Sequence, residues 1–218
     1  MQVYNLEEQN SVLNKFISEL RDVTIQTDRM RFRKNIERIG EIMAYELSKN
    51  LNYKKVSVKT PLGTSEIQLP DEELVICSIL RAGLPLHTGL LNYFDTAENS
   101  YISAYRHYTS DTEFEIKVEY LASPSLEGKT LILADPMLAT GQSFVNVLKA
   151  LEPMGKPKKI HLVSVIGSRP GIEFMDKHFP EDSKLWIATI DEKLNEHGYI
   201  VPGLGDAGDL CFGMKLQH

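Results

Sequence analysis

The sequence predicts an α/β fold built on a parallel sheet with helices on both faces. Three observations predict it. Leu74 to Ile79, Ser100 to Tyr105, Leu131 to Ala134, Ile160 to Ile166 and Leu185 to Ile190 have the length and apolar content of strands, several of them covered on both faces. Helical patterns follow most of these runs, the alternation that right-handed crossovers impose on parallel strands. Finally, Asp135 to Gln142 is a short polar turn joining a strand directly to the helix that begins at Ser143.

Taken in order, Leu6 to Leu20 and Phe32 to Leu51 read as two packing helices, the second with Ile36, Ile39, Met43 and Leu47 on one face. Val56 to Leu69 alternates around a Pro-Leu-Gly turn and predicts a hairpin. The first sheet strand ends in Ser78-Ile-Leu-Arg-Ala-Gly-Leu84, with a helix starting near Leu84. After Ser100 to Tyr105, the polar stretch from His107 to Lys117 predicts a mobile arm or loop beyond the sheet. Gly128-Lys-Thr130 resembles the end of a nucleoside-triphosphate loop, but no glycine stands at the required upstream position and no helix follows, so it reads as a turn into a strand. In the helix from Ser143, Phe144, Val147, Leu148 and Leu151 recur at helical spacing. Met137, Leu138 and Phe144 read as core side chains. The glycine-rich stretch from Asn195 to Gly213 lacks periodicity and predicts irregular structure over a site.

The chain has 218 residues, 42% of them hydrophobic and 25% charged, which suits one globular domain. A net charge of -6 supplies no general basic face, which argues against nucleic-acid and anionic-membrane partners. Cys77 and Cys211 lack the paired spacing that holds zinc and read as buried free thiols of a reducing compartment. No leader-like N-terminus and no apolar run of about 18 residues occur, so a cytoplasmic location is expected.

Chemistry concentrates at three strand ends. In the turn from Asp135, backbone N–H groups at a helix N-terminus, with small residues Ala139 and Gly141 and hydroxyls from Thr140 and Ser143, suit a phosphate. Asp135 itself is an acceptor placed for sugar hydroxyls or a hydrated metal. Arg81 and Arg106 each follow a strand and offer a planar fork to a pyrophosphate. In a parallel sheet these three ends share one crevice, as a sugar with a phosphate and a pyrophosphate requires. Gly203-Leu-Gly-Asp-Ala-Gly208 has dinucleotide-loop spacing but lacks the acid about 20 residues on, because the chain ends at His218. His197, in a polar loop, reads as a structural hydrogen-bonding residue.

With these residues in view, the chain resembles the uracil branch of the type I phosphoribosyltransferases. The resemblance rests on Arg31-Phe-Arg33, Gly40 and Tyr45-Glu46, Ile79-Leu-Arg-Ala-Gly83, Tyr105-Arg106, Asp135-Pro-Met-Leu-Ala-Thr-Gly-Gln-Ser143 and Leu194-Asn-Glu-His-Gly-Tyr-Ile-Val-Pro-Gly-Leu-Gly-Asp-Ala-Gly-Asp209. It implies one phosphoribosyltransferase domain over 1–218, with N-terminal helices in 1–52, a core of about 70–190, a β-arm or loop, and an irregular hood of about 191–218 over the base site. It implies transfer of the 5-phosphoribosyl group from phosphoribosyl pyrophosphate (PRPP) to N1 of uracil, giving UMP in pyrimidine salvage. The donor would be held by Arg81, Arg106, Asp135, Pro136, Met137, Leu138, Ala139, Thr140, Gly141, Gln142, Ser143 and Asp206, and uracil by Ile200, Gly205, Asp206 and Ala207. Arg81, Arg106 and Asp206 would be the catalytic set, Asp206 as a general base or as a residue that only orients its loop. With Pro136 in place of a second acid, Mg²⁺ is expected to arrive on the pyrophosphate rather than be held directly by the protein. A homodimer or homotetramer is implied, and a GTP effector is left open.

Gln142 departs from the family pattern, where glycine is common, and its side chain either crowds the phosphate or points to solvent. Two other readings compete. A pyrimidine-responsive RNA-binding regulator on the same fold is disfavoured by the acidic balance and by the lack of basic residues interleaved with aromatics. A transferase acting on another base is the second.

Overall fold

The structure, a computed structural model, describes the backbone of residues 1–108 and 114–216 and the side chains of these except 104–118. In chain order the strands are β1 (Gln2–Asn5), β2 (Tyr53–Thr60), β3 (Gly63–Pro70), β4 (Leu74–Leu80), β5 (Glu98–Tyr108), β6 (Phe114–Ala122), β7 (Thr130–Ala134), β8 (Met137–Leu138), β9 (Lys159–Ser168), β10 (Lys184–Asp191), β11 (Lys193–Leu194) and β12 (Ile200–Val201). The helices are α1 (Leu13–Arg21), α2 (Arg29–Ser48), α3 (Gly83–Leu91), α4 (Gln142–Leu151), α5 (Arg169–His178) and α6 (Ala207–Phe212).

Seven strands line up as β1-β10-β9-β7-β4-β5-β6, with β8 added on β9. All pair in parallel except β6, which returns antiparallel to β5. The chain moves outward one way through β4 and β5 and the other way through β7, β9 and β10, so the order reverses between β4 and β7. Ligands of open α/β sheets bind at the carboxyl ends beside such a reversal. Alternate residues of each strand serve opposite layers. Ile76, Ile132 and Val163 face α1, α2 and α3 through Leu20, Ile36, Ile39, Met43 and Leu86. Val75, Cys77, Leu131, Leu133 and Leu162 face α4 and α5 through Phe144, Val147 and Met175. At the opposite end of the strands, Glu72 binds Lys159 (2.5 Å), Thr130 (2.5 Å) and the Asn52 amide (2.7 Å), closing the amino edge of the sheet.

The five predicted sheet strands and the hairpin are present, and three expectations need correction. The single helix over Leu6 to Leu20 is divided: a 3-10 turn covers Leu6–Glu8, and α1 starts only at Leu13, where the Ser11 hydroxyl accepts the Leu13 amide at 3.2 Å. The helix expected over Phe32 to Leu51 begins earlier, because Asp28 caps it by accepting the Arg31 amide at 3.1 Å, and ends at Ser48. Of the arm or loop expected from His107 to Lys117, the described part is a β-arm, since β5 and β6 extend their ladder to Tyr108 and Phe114; residues 109–113 lie outside the described residues. The tail expected to be irregular contains the short β11–β12 pair and α6. Among the described residues no helix is long and apolar enough to cross a membrane.

Candidate active site

The strand β7 is fully buried, and Asp135 follows it at the carboxyl edge. The backbone beyond is tied to β9: the Asp135 amide donates to the Val163 carbonyl at 3.1 Å, and the Pro136 carbonyl accepts from Val165 (3.1 Å) and Ile166 (2.9 Å). Proline therefore costs this turn nothing, because only its carbonyl is used. The Met137 and Leu138 backbones continue the pairing as β8. The Leu138 side chain is wholly buried, so any part it plays toward a ligand falls to its backbone. Asp135 Oδ1 accepts the Met137 amide at 3.2 Å.

The part of the turn left outside the strand pairing is thus Ala139 to Gly141. Gly141 caps α4 in the left-handed region, φ 78°, without any side-chain cap. A side chain there would be strained in the backbone and would meet Met175 and the Gly171 carbonyl. The first amides of α4 therefore point outward without intrahelical partners and at the positive end of the helix dipole. Gln142 is exposed, with its amide 3.4 Å from Thr140 Oγ1, so its side chain lies toward solvent. The turn is held from behind by Ser168 at the start of α5. Its hydroxyl donates to the Ala139 carbonyl at 2.6 Å and accepts the Gly171 amide at 2.9 Å.

Arg81 stands beyond β4, after a cis Leu80–Arg81 peptide, and is 40% exposed. Its Nη2 donates to Asp209 Oδ1 at 2.9 Å and to the Gly213 carbonyl at 3.2 Å. Beneath this turn, Ser78 Oγ lies 2.7 Å from His87 Nδ1, while His87 Nε2 lies 2.7 Å from Asn99 Oδ1 and 3.0 Å from the Tyr101 hydroxyl. Burial holds the His87 pKa below its ordinary value. Arg106 sits in β5 opposite Ile116, and its side chain lies outside the described residues.

The tail reaches over this edge. Asp206 caps α6, its Oδ1 accepting the Asp209 amide at 3.0 Å while Oδ2 faces Lys215 Nζ at 3.4 Å. Arg33 of α2 donates to the Cys211 carbonyl at 2.6 Å and ties α6 to the core. Ile200 and Ala207 are buried, whereas Gly205 is exposed. Cys211 is not poised as a nucleophile, since burial pushes its thiol up to about 12.

Burial, reinforced by the charge of Asp206, raises the Asp135 carboxyl to about 7 despite the Met137 amide. Asp135 therefore binds its proton more tightly in the folded chain than in the unfolded one, whose value lies near 3.8. Its contribution favours folding most below about pH 4 and is lost as pH rises through about 7. Asp135→Asn is accordingly expected to melt higher than the parent chain at pH 8, by about 1 kcal/mol for a group still partly solvated, with the gap closing near pH 4. Activity should fall in the same variant. Melting curves at the two pH values check the first claim, and an unchanged gap across them would contradict it.

The structure thus brings Arg81, Asp135 to Ser143 and the tail from Ile200 to Ala207 to one edge. The sequence reading named Arg33 and Asp209 without giving either a role, and missed Ser168, Gly171 and His87. The Asp209 position was visible within the glycine-rich tail, but a carboxylate partner for Arg81 lying 128 residues away has no local signature.

The model of the family described as "Uracil phosphoribosyltransferase" matches residues 7–214. A uracil phosphoribosyltransferase of Porphyromonas gingivalis is 52% identical over 216 residues, covering 99% of this chain and 100% of the relative. Among solved structures, the AQ2163 protein of Aquifex aeolicus superposes with a TM-score of 0.86 at 27% identity, covering 99% of this chain and 100% of that one. A hypoxanthine phosphoribosyltransferase of Staphylococcus aureus, with a TM-score of 0.50 at 17% identity over 85% of this chain and 84% of its own, shares the fold. On the match over 7–214 and the full-length 52% identity, this chain belongs to the uracil phosphoribosyltransferase family.

Proposed function

We propose that the chain transfers the 5-phosphoribosyl group of PRPP to N1 of uracil, releasing pyrophosphate and giving UMP. The observation that carries this reading is the meeting of tail and sheet edge: Asp209 reaches Arg81 at 2.9 Å, and the charge of Asp206 is felt at Asp135. One pocket can then join a phosphate turn, a pyrophosphate fork and a base-reading loop. The whole chain acts as one domain, its tail forming the hood.

In this reading the amides and hydroxyls from Ala139 to Ser143 hold the 5-phosphate, and Asp135 accepts from the ribose hydroxyls. The tied-down backbone from Pro136 to Leu138 fixes their approach. Arg81 and Arg106 hold the pyrophosphate, so a donor entering the site competes with Asp209 for the Arg81 fork. Uracil presents alternating carbonyls and an N–H, which the backbone groups of Gly205, Asp206 and Ala207 can match beside Ile200. Cytosine would leave some of these groups unpaired in a pocket sheltered from water.

N1 forms a bond to the anomeric carbon as the bond to pyrophosphate oxygen breaks, with inversion. Catalysis rests on holding the two reactants in line and on Arg81 and Arg106 taking up the charge that moves to the leaving group. Oδ1 of Asp206 is committed to capping α6, so the N1 proton would pass to Oδ2, in competition with Lys215 Nζ at 3.4 Å. Among the described residues no cluster of three metal-binding side chains occurs, while Asp135 and Asp206 bring two carboxylates near one another. Such a donor set suits a hydrated Mg²⁺ that arrives with the donor, and Asp135 and Asp206 would be the residues to hold it. When bound, the ion would neutralise charge on the leaving group.

The β2–β3 hairpin is open on both faces, with Val58, Ile67 and Leu69 exposed, and an isolated two-stranded ribbon is marginal in water. This favours a homodimer in which a second copy covers it.

Incubation with PRPP, Mg²⁺ and labelled uracil, cytosine, hypoxanthine and adenine tests the function. UMP alone is expected. Failure to form it, or a faster reaction with another base, would overturn the reading.

A further inference from the structure

The loop that would read uracil is anchored by residues far from it in sequence. Arg21, the last residue of α1, donates Nη1 to Asp191 Oδ2 and Nη2 to Asp191 Oδ1, both at 2.8 Å. The same guanidinium donates to the Thr189 hydroxyl at 3.2 Å and to the Gly203 carbonyl at 3.1 Å. Asp191, at the carboxyl end of β10, in turn accepts the Gly203 amide at 2.8 Å. Gln26, in the turn between α1 and α2, donates to the Leu20 carbonyl at 2.8 Å and the Leu204 carbonyl at 3.2 Å. Both backbone groups of Gly203 and the carbonyl of Leu204 are therefore held by side chains from three separate parts of the chain.

We infer that the Arg21–Asp191 pair, with Gln26, is the positioning device for base recognition, fixing the backbone just before Gly205, Asp206 and Ala207 so that their amides and carbonyls meet the edge of a pyrimidinedione. Arg21 and Asp191 touch no substrate; they act through Gly203. The inference rests on the reading that Gly205 to Ala207 hold uracil. Several features make the pair more than a surface ion pair. The side chains are only 24% and 8% exposed, the contact is bidentate, and the carboxylate shares one oxygen between guanidinium and loop amide. A planar fork is required, since an ammonium at Arg21 could not span Asp191, Thr189 and Gly203 together. The PRPP end of the pocket uses other supports, Ser168 behind the phosphate turn and the Ser78–His87 contact below Arg81. Loosening the clamp should therefore separate the two substrates kinetically.

Steady-state kinetics on Arg21→Gln, Arg21→Lys, Asp191→Asn and the Arg21→Gln/Asp191→Asn pair test this, with melting curves for each variant. Arg21→Gln and Asp191→Asn are expected to raise KM for uracil about tenfold or more, with kcat and the KM for PRPP changing less than about threefold. Arg21→Lys should recover only part of the loss, and the double variant should be no worse than the more impaired single variant, because the residues act as one unit. Gln26→Met, which removes only the Leu20 and Leu204 contacts, should raise KM for uracil about threefold and serves if the charge variants fail to fold. A wild-type uracil KM in folded Arg21 or Asp191 variants, or in Gln26→Met where those do not fold, would overturn the inference; so would equal rises in both KM values. Gly205→Ala separates this from failure of the base-site reading: a methyl there meets only Leu210, at 3.7 Å, yet alters the φ 91° backbone of the loop itself. If Gly205→Ala raises the uracil KM while the clamp variants do not, the clamp is wrong; if Gly205→Ala also leaves it unchanged, the base site is misplaced.

Discussion

Gly171→Ala is expected to lower stability by about 3 kcal/mol and to weaken PRPP binding at the same time. A Cβ at this position would stand 2.1 Å from the Ala139 carbonyl oxygen and 2.8 Å from a Leu138 methyl. Neither neighbour yields cheaply: Ala139 is backbone, and Leu138 is wholly buried. Either α5 backs away from the sheet or the phosphate turn is pushed outward. Both movements stretch the Ser168 hydroxyl between Ala139 and the Gly171 amide, now 2.6 and 2.9 Å. In a chain of this length the loss corresponds to a fall in melting temperature of about 10 °C. KM for PRPP should rise more than KM for uracil, because the displaced atoms belong to the phosphate end. A melting scan and two substrate titrations check the prediction, and an unchanged melting temperature would defeat it.

Arg81→Ala is expected to do the reverse, reducing kcat/KM for PRPP by about tenfold to a hundredfold while leaving the melting temperature nearly unmoved. The activity loss follows from removing a charge-assisted contact of about 1.5 to 3 kcal/mol to the pyrophosphate. The small effect on stability follows from the 40% exposure of Arg81 and the half-buried state of Asp209, which make their pair a weakly stabilising one. Arg81→Lys should restore only part of the activity, since a point charge cannot match two phosphate oxygens in a plane. Undiminished kcat/KM in Arg81→Ala would remove Arg81 from the donor site. Together with Gly171→Ala, it distinguishes a residue that binds from one that holds the binding turn in place.

The parallel strands were legible because their code is local. Leu131 to Ala134 or Ile160 to Ile166 can be little else than strands once both faces are apolar. Where the structure departed from expectation, a distant partner decided. β1 is too short to announce itself, and it is ordered by pairing with β10 and by Tyr4 stacking on Trp186, ring centroids 4.0 Å apart. The stretch from His107 to Lys117 is mostly polar, which left arm and loop both open. A hairpin ladder extending past the sheet requires only main-chain pairing, which polar side chains do not oppose. Glycines made the tail look irregular, yet Asp206 caps α6 and Arg33 anchors its end. Gln142, ambiguous in sequence, is turned to solvent by the start of α4 one residue earlier than its apolar pattern indicated.

By itself, the sequence determined the kinds of groups available and their place at strand ends: an acid and a small-residue turn after one strand, arginines after two others, a glycine-rich tail. Hydrophobic period and turn chemistry act over a few residues and are written where they act. Only the tertiary structure decided which of these groups meet. The raised Asp135 carboxyl depends on burial and on Asp206, the occupied fork of Arg81 on Asp209, and the anchored Gly203 on Arg21 and Asp191. Electrostatic coupling and side-chain hydrogen bonds depend on distance in space, and separations of 71, 128 and 182 residues leave no periodic trace in the chain.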